Sequence, residues 1–172
     1  AQGHARELIE AALKRLKGEV NDFSVLVSAA PGADILALES CKALGIKTWL
    51  CLPVDRDVVA REVFRDYDID WRNRFFALAD AQPSGQTFVL SDSGGLPQWL
   101  LARSTMTPWS RGNRWMLHQA QAWGADKVTL LALWDHNEDD VSPNGTAEML
   151  RLAKMTDDIY VEVIDSRPLA AG

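Results

Sequence analysis

Residues 23–53 read FSVLVSAAPGADILALESCKALGIKTWLCLP, and this stretch decides the fold. FSVLVSAA (23–30) is short, apolar and β-branched at Val25 and Val27, so it predicts a strand that runs straight into the Pro31-Gly32 turn. ADILALESCKAL (33–44) is apolar around much of its circumference, which suits a helix wedged against a sheet, and Gly45 can cap it. KTWLCLP (47–53) is a second strand of the buried type. Strand, helix and strand within about 30 residues make a parallel βαβ unit with a right-handed crossover.

Outward from this unit the same alternation continues. ARELIEAALKRL (5–16) places Leu8, Ile9, Ala12, Leu13 and Leu16 at helical spacing, with Gly18 as a stop. Residues 54–81 predict one or two helices with a break near 66–70, and QTFVL (86–90) a third strand. Residues 91–108 hold Gly94, Gly95, Pro97 and Pro108 around the apolar patch LPQWLL, which predicts a loop with at most a turn or two of helix. Residues 110–123 form a helical pattern with the stripe Met116, Leu117, Ala120 and Trp123; Asn113 lies one turn before Met116 on the same inward face. VTLLALW (128–134) does not alternate with polar residues and predicts a strand buried on both faces. A polar loop, a helix over 146–154 and a strand over 159–164 complete the chain. The expected architecture is a three-layer α/β/α sandwich around one mostly parallel sheet of about five strands.

Composition narrows the function. A chain of 172 residues with 47% hydrophobic residues is expected to be a single domain with a full core. A net charge of −6 and a pI near 5.0 argue against a nucleic-acid groove or an anionic membrane surface, both of which favour clustered Lys and Arg. Cys41 and Cys51 make neither a disulfide framework nor zinc spacing and read as reduced core thiols of a cytoplasmic protein. No apolar run reaches membrane-span length and no signal-peptide pattern opens the chain. Both ends look cut, as in a domain excised from a longer protein.

Three segments are expected at the carboxyl ends of strands, where open α/β sheets bind ligands: 28–34, 91–113 and 135–148. In the first, Ser28, Ala29, Ala30, Pro31 and Gly32 let backbone approach a ligand at a helix N-terminus, a geometry suited to anions. Asp34 competes with that role, and a tight turn capped by its own side chains is the other reading. In the third, Asn144, Gly145 and Thr146 offer a turn, a hydroxyl and free amides, beside Glu148. Glu148 either faces the cleft as an acid or base or favours the positive end of its helix. Asn113 is either a ligand contact or a buried cap or core amide. Asp135, Asn137 and Asp139 imitate an EF-hand, but Asp140 stands at the glycine position and Thr146 at the bidentate glutamate, so no metal is expected. Asp66, Asp68 and Asp70 read as a solvated acidic face. His4, His118 and His136 are scattered, and no Ser-His-Asp set forms. The seven Trp are best explained by packing.

Taken together, SAAPGADILALESCKALGIKTWLCLP, WRNRFF, NRWML, LLALWD and NGTAEM resemble the nucleotide-ligand-sensing branch of the SLOG superfamily, the SMF/DprA and LONELY GUY-like Rossmannoid domains. These occur in bacterial signalling proteins beside cyclase, TPR, NTPase or TIR-type effector modules. The resemblance covers about residues 24–165. It implies a Rossmann-like fold and a nucleotide-derived ligand held by Ser28, Ala29, Ala30, Pro31, Gly32 and Asp34, by Asn113, and by Gly145, Thr146 and Glu148. The enzymatic relatives are phosphoribohydrolases with a Gly-Gly-x-Gly-Thr loop, two adjacent Glu and an Arg on the preceding helix. Here the loop reads Ser142-Pro143-Asn144-Gly145-Thr146 and Glu148 is followed by Met149, while Arg111 or Arg114 is the stand-in for the Arg. These departures speak against hydrolysis. Of the opening strand and Gly-rich turn of the relatives, at most Gly3-His4 remains.

Three functions follow. The first is a sensor domain for a nucleotide or ADP-ribose-like ligand, with no bound cofactor, that passes a conformational or oligomeric change to a fused or associated effector. The second is a phosphoribohydrolase or N-glycosidase using Glu148. The third is a structural, homo-oligomerising module with a vestigial pocket.

Overall fold

All strand pairing among the described residues is parallel. Strands β1 (Ser24–Val27), β2 (Lys47–Leu52) and β3 (Thr87–Val89) form one sheet in that order, and β4 (Val128–Trp134) pairs with β5 (Ile159–Asp165) in another. The computed structural model describes residues 2–92, 95–102, 106–137 and 145–170. The chain divides into two compact units, Ala1–Asp92 and Ser93–Gly172. The class is mixed α/β with parallel strands, as the alternation of patterns predicts. The expected single sheet is replaced, among the described residues, by one of three strands and one of two.

In the first unit, α1 (Gln2–Glu19) packs on α2 (Ala33–Leu44), which packs in turn on β1, β2 and α4 (Ile69–Asp80). Helix α2 has the predicted bounds because Gly45 takes φ 65, a left-handed conformation, and donates its N–H to the Cys41 and Lys42 carbonyls. Helix α1 runs one residue past Gly18, where the glycine sits on the open surface and costs little near a helix end. Strand β1 is shorter than predicted, because Ala29 takes φ 60 and turns the chain out of the sheet. The predicted break after α3 (Arg56–Glu62) is present: Asp68 caps α4, its carboxylate accepting from the Asp70 N–H at 3.0 Å. Asp66, Asp68 and Asp70 are all exposed, as a solvated acidic face should be.

The core of this unit runs from Ile9 and Leu13 on α1 through Ile35 on α2 and Leu50 on β2 to Phe75 on α4. The Phe75 ring lies 5.1 Å from that of Phe64. Across the helices, Glu39 on α2 accepts from Arg74 Nε at 2.7 Å and Nη2 at 2.8 Å, and also from Arg6 on α1. Burial raises the Glu39 carboxyl, but the two guanidinium groups outweigh it and hold it below the usual carboxylate range. Cys41 and Cys51 are free and buried, and burial pushes both thiols up to about 12, where they are inert.

The second unit holds α5 (Gln98–Leu101), α6 (Pro108–Ala122), β4, α7 (Thr146–Lys154), β5 and α8 (Arg167–Ala170). Thr107 starts α6: its Oγ1 accepts from the Ser110 N–H at 3.0 Å, and Pro108 occupies the first helical position. Helix α7 packs on α6, β4 and β5. Two expectations need correction. Strand β4 has only Ala132 buried outright, because β5 is its one strand neighbour among the described residues. Trp123, expected in the apolar stripe of α6, is the C-cap residue and is 40% exposed. Among the described residues, no helix is long and apolar enough to cross a membrane.

Candidate functional site

Glu148 is the third residue of α7 and is only 8% exposed. A carboxylate there is favoured by the helix dipole, yet its burial must be offset by hydrogen bonds. Both come from α6: Ser110 Oγ donates to Oε1 at 2.5 Å, and Asn113 Nδ2 donates to Oε2 at 3.2 Å. Ser110 itself is 1% exposed. Three residues apart on one helix, Ser110 and Asn113 share a face, so two donors address the two carboxylate oxygens from a rigid support. Each oxygen keeps a further lone pair for an incoming hydroxyl or N–H.

Arg111 follows Ser110, about 100° further round the helix. Its Nε and Nη2 are buried and have no hydrogen-bond partner among the described residues. Guanidinium nitrogens withdrawn from water without an acceptor cost about 1–3 kcal/mol. Folded proteins seldom tolerate that cost without a reason, and satisfaction by an anion is one. Arg114, the other predicted stand-in, is exposed. Gly145 caps α7 without a side-chain hydrogen bond to the first amides, and Thr146 is exposed at the helix start. Asp135 is exposed just beyond β4, and its carboxylate accepts from the Asn137 N–H at 3.0 Å, an Asx turn. Asp139, Asp140 and the Ser142-Pro143-Asn144 part of the loop lie outside the described residues. Among the described residues, no cluster of His, Cys, Asp and Glu could hold a metal ion.

The remaining predicted site residues belong to the first unit. After β1, Ala29 in the left-handed region and Gly32 at φ 99 fold Ser28, Ala29, Ala30, Pro31 and Gly32 into a tight turn ahead of α2. For Ala29 this conformation costs about 1–2 kcal/mol. The turn closes on Asp34, whose Oδ2 accepts from Ser28 Oγ at 2.5 Å and from the Ala30 N–H at 3.1 Å. Burial pushes the Asp34 carboxyl above the ordinary aspartate range, against the pull of these hydrogen bonds. The Ala30 amide, which could face an anion here, already faces this carboxylate.

Within the second unit, the fold thus joins Asn113 to Glu148. Ser110 was missed from the sequence, although its i, i+3 relation to the inward-facing Asn113 was a usable signal. A comparison with protein-family models, with curated proteins and with solved structures finds no match.

Proposed function

We propose that this chain is a sensor domain that binds a nucleotide-derived small ligand, ADP-ribose-like in character, through Arg111, Asn113, Gly145, Thr146 and Glu148. One observation carries the reading: a buried carboxylate oriented by Ser110 and Asn113 from the helix that also holds buried nitrogens of Arg111 without a partner among the described residues. A ribosyl phosphate meets both needs. Its phosphate supplies acceptors for the guanidinium, and its hydroxyls donate to the spare lone pairs of Glu148. The turn around Asp34 is closed on its own side chain, so the reading puts the ligand's anion on Arg111. Its framework is the three-layer Rossmann-like sandwich, and its setting is a cytoplasmic bacterial signalling or defence protein. The signal passes to a fused or associated effector or through a homo-oligomer.

Hydrolysis fits these residues less well. A phosphoribohydrolase would use Glu148 as acid or base together with a second, adjacent acid, and Met149 stands where that acid would be. A purely structural module would leave the cost of burying Arg111 without compensation.

Thermal denaturation with AMP, ADP-ribose, cyclic ADP-ribose and dinucleotides tests the proposal. A ligand at 100 times its Kd stabilises the native state by about 2.7 kcal/mol. At least one of these compounds raises Tm at millimolar concentration, the rise is lost in Arg111→Ala, and no free base is released. No shift with any of them overturns the sensor reading, and base release abolished by Glu148→Gln replaces it with the enzyme.

A further inference from the structure

We propose that a cleft in the first unit, between α3 and α4, binds a small planar anion: an aromatic ring carrying a phosphate or a carboxylate. The cleft measures about 350 Å³ and is lined by Ala60, Arg61, Phe64, Arg65, Tyr67, Ile69 and Arg72. That volume lies at the small end of the range for small-molecule sites. Its residues are unlike those of a solvated helix corner. Tyr67 is 53% exposed and Ile69 63%, while Phe64 is buried beneath with its ring 6.4 Å from that of Tyr67. The two rings meet edge-to-face at 61°, so Phe64 steadies Tyr67 while the exposed part of the Tyr67 ring stays open to a planar ligand.

The charge in the lining is all of one sign. Three arginines line the cleft and no carboxylate does, although the surrounding segment is rich in acids. Two of those acids are engaged elsewhere: Asp68 caps α4 and Asp70 lies 3.6 Å from Arg74. Among the described residues, Glu62 is the only carboxylate paired with the three arginines. It accepts from Arg61 Nε at 2.9 Å and from Arg65 Nη2 at 2.5 Å. Glu62 is exposed, and such surface pairs are weak enough for a ligand anion to displace. Arg72 has no carboxylate partner among the described residues and lies over the Phe76 ring, 5.9 Å from its centroid. The ring of the ligand therefore stacks on Tyr67 while its anionic group takes Arg72 first and competes with Glu62 for the other two. A cleft of this size, confined to one helix pair, fits a small molecule better than an extended acidic peptide.

The test uses phenyl phosphate as the probe, with inorganic phosphate and phenol as its separated halves, followed by amide chemical shifts of the whole chain. Phenyl phosphate shifts residues 60–72 saturably and binds more tightly than either half. Arg72→Ala weakens it about tenfold, Tyr67→Ala about fivefold, and Glu62→Gln tightens it up to about threefold by freeing two guanidinium groups. All three positions are exposed, so the variants fold. Arg111→Ala leaves these shifts intact, which separates this cleft from the ligand proposed for the second unit. Phenyl phosphate binding no tighter than inorganic phosphate, an unchanged affinity in Arg72→Ala, or binding of an acidic peptide but not of phenyl phosphate overturns the proposal.

Discussion

Asp34 and Glu148 occupy the first turns of two helices that each follow a parallel strand, yet they are held in opposite ways. Asp34 is closed locally, by Ser28 six residues earlier and the Ala30 amide four residues earlier. Glu148 is held from a distance, by Ser110 and Asn113, which lie 38 and 35 residues earlier on α6. A locally closed carboxylate completes its own turn and occupies the Ser28 hydroxyl and the Ala30 amide. A carboxylate oriented by another helix is a preformed acceptor whose geometry outlasts the departure of any ligand. Among the described residues, the helix that holds the second also carries buried guanidinium nitrogens of Arg111 without a hydrogen-bond partner. The Asp34 turn is thus held by its own neighbours in sequence, and Glu148 by tertiary contacts.

The comparison is broken most severely by removing Glu148. Glu148→Ala leaves the buried Ser110 hydroxyl and the Asn113 amide without their acceptor and costs about 3 kcal/mol in urea denaturation. A loss below about 0.5 kcal/mol would mean that the two hydrogen bonds do not bear on folding. Glu39 is a third carboxylate held from a distance, by Arg74 and Arg6, and sharpens the contrast. Glu39→Ala costs about 2 kcal/mol at neutral pH. Because its folded carboxyl is held low, this contribution is present above the unfolded carboxylate range and is lost as pH falls through the folded value. The variant's deficit therefore shrinks on acidification.

Asp34→Asn gives the smallest effect, with the opposite pH sign. The amide oxygen can accept the same two hydrogen bonds, so neutral-pH stability changes by less than about 1 kcal/mol. The wild-type carboxyl titrates above its ordinary range when folded. Between the unfolded and folded values the native state binds more protons, so wild-type stability falls as pH rises through that window. Asp34→Asn flattens this slope, which urea midpoints measured upward from the ordinary aspartate range would reveal. A steeper slope in the variant would contradict the local closure.

Much of the fold was legible because its strongest patterns are local. Helices α2 and α7 and strand β4 have their predicted bounds, since an unbroken apolar run, a glycine cap and a polar loop are all read within a few residues. Residues 98–101 were placed in a loop that allowed a helical turn, and they form α5; helix α8 carried no periodic signal and was not anticipated. The exposure of Trp123 and the partial burial of β4 depend on neighbours supplied by tertiary structure. At the site, Asn113 and Glu148 were singled out as separate residues. Their hydrogen bond joins residues too far apart for any local pattern to encode, whereas Ser110 could have been found from its i, i+3 relation to Asn113. The Asp34 turn was readable as either a cradle or a self-capped turn, and only the positions of Ser28 Oγ and Asp34 Oδ2 separate the two.

The most direct measurement is the Arg111 side-chain Nε–H resonance, assigned by comparison with Arg111→Lys and followed as AMP and ADP-ribose are added. Binding at Glu148 and Arg111 predicts a saturable downfield shift with one of the two ligands, as the proton gains a phosphate acceptor, and a weakened response in Ser110→Ala. A resonance unmoved by either ligand, while ligand perturbs amides only outside α6 and α7, would contradict it.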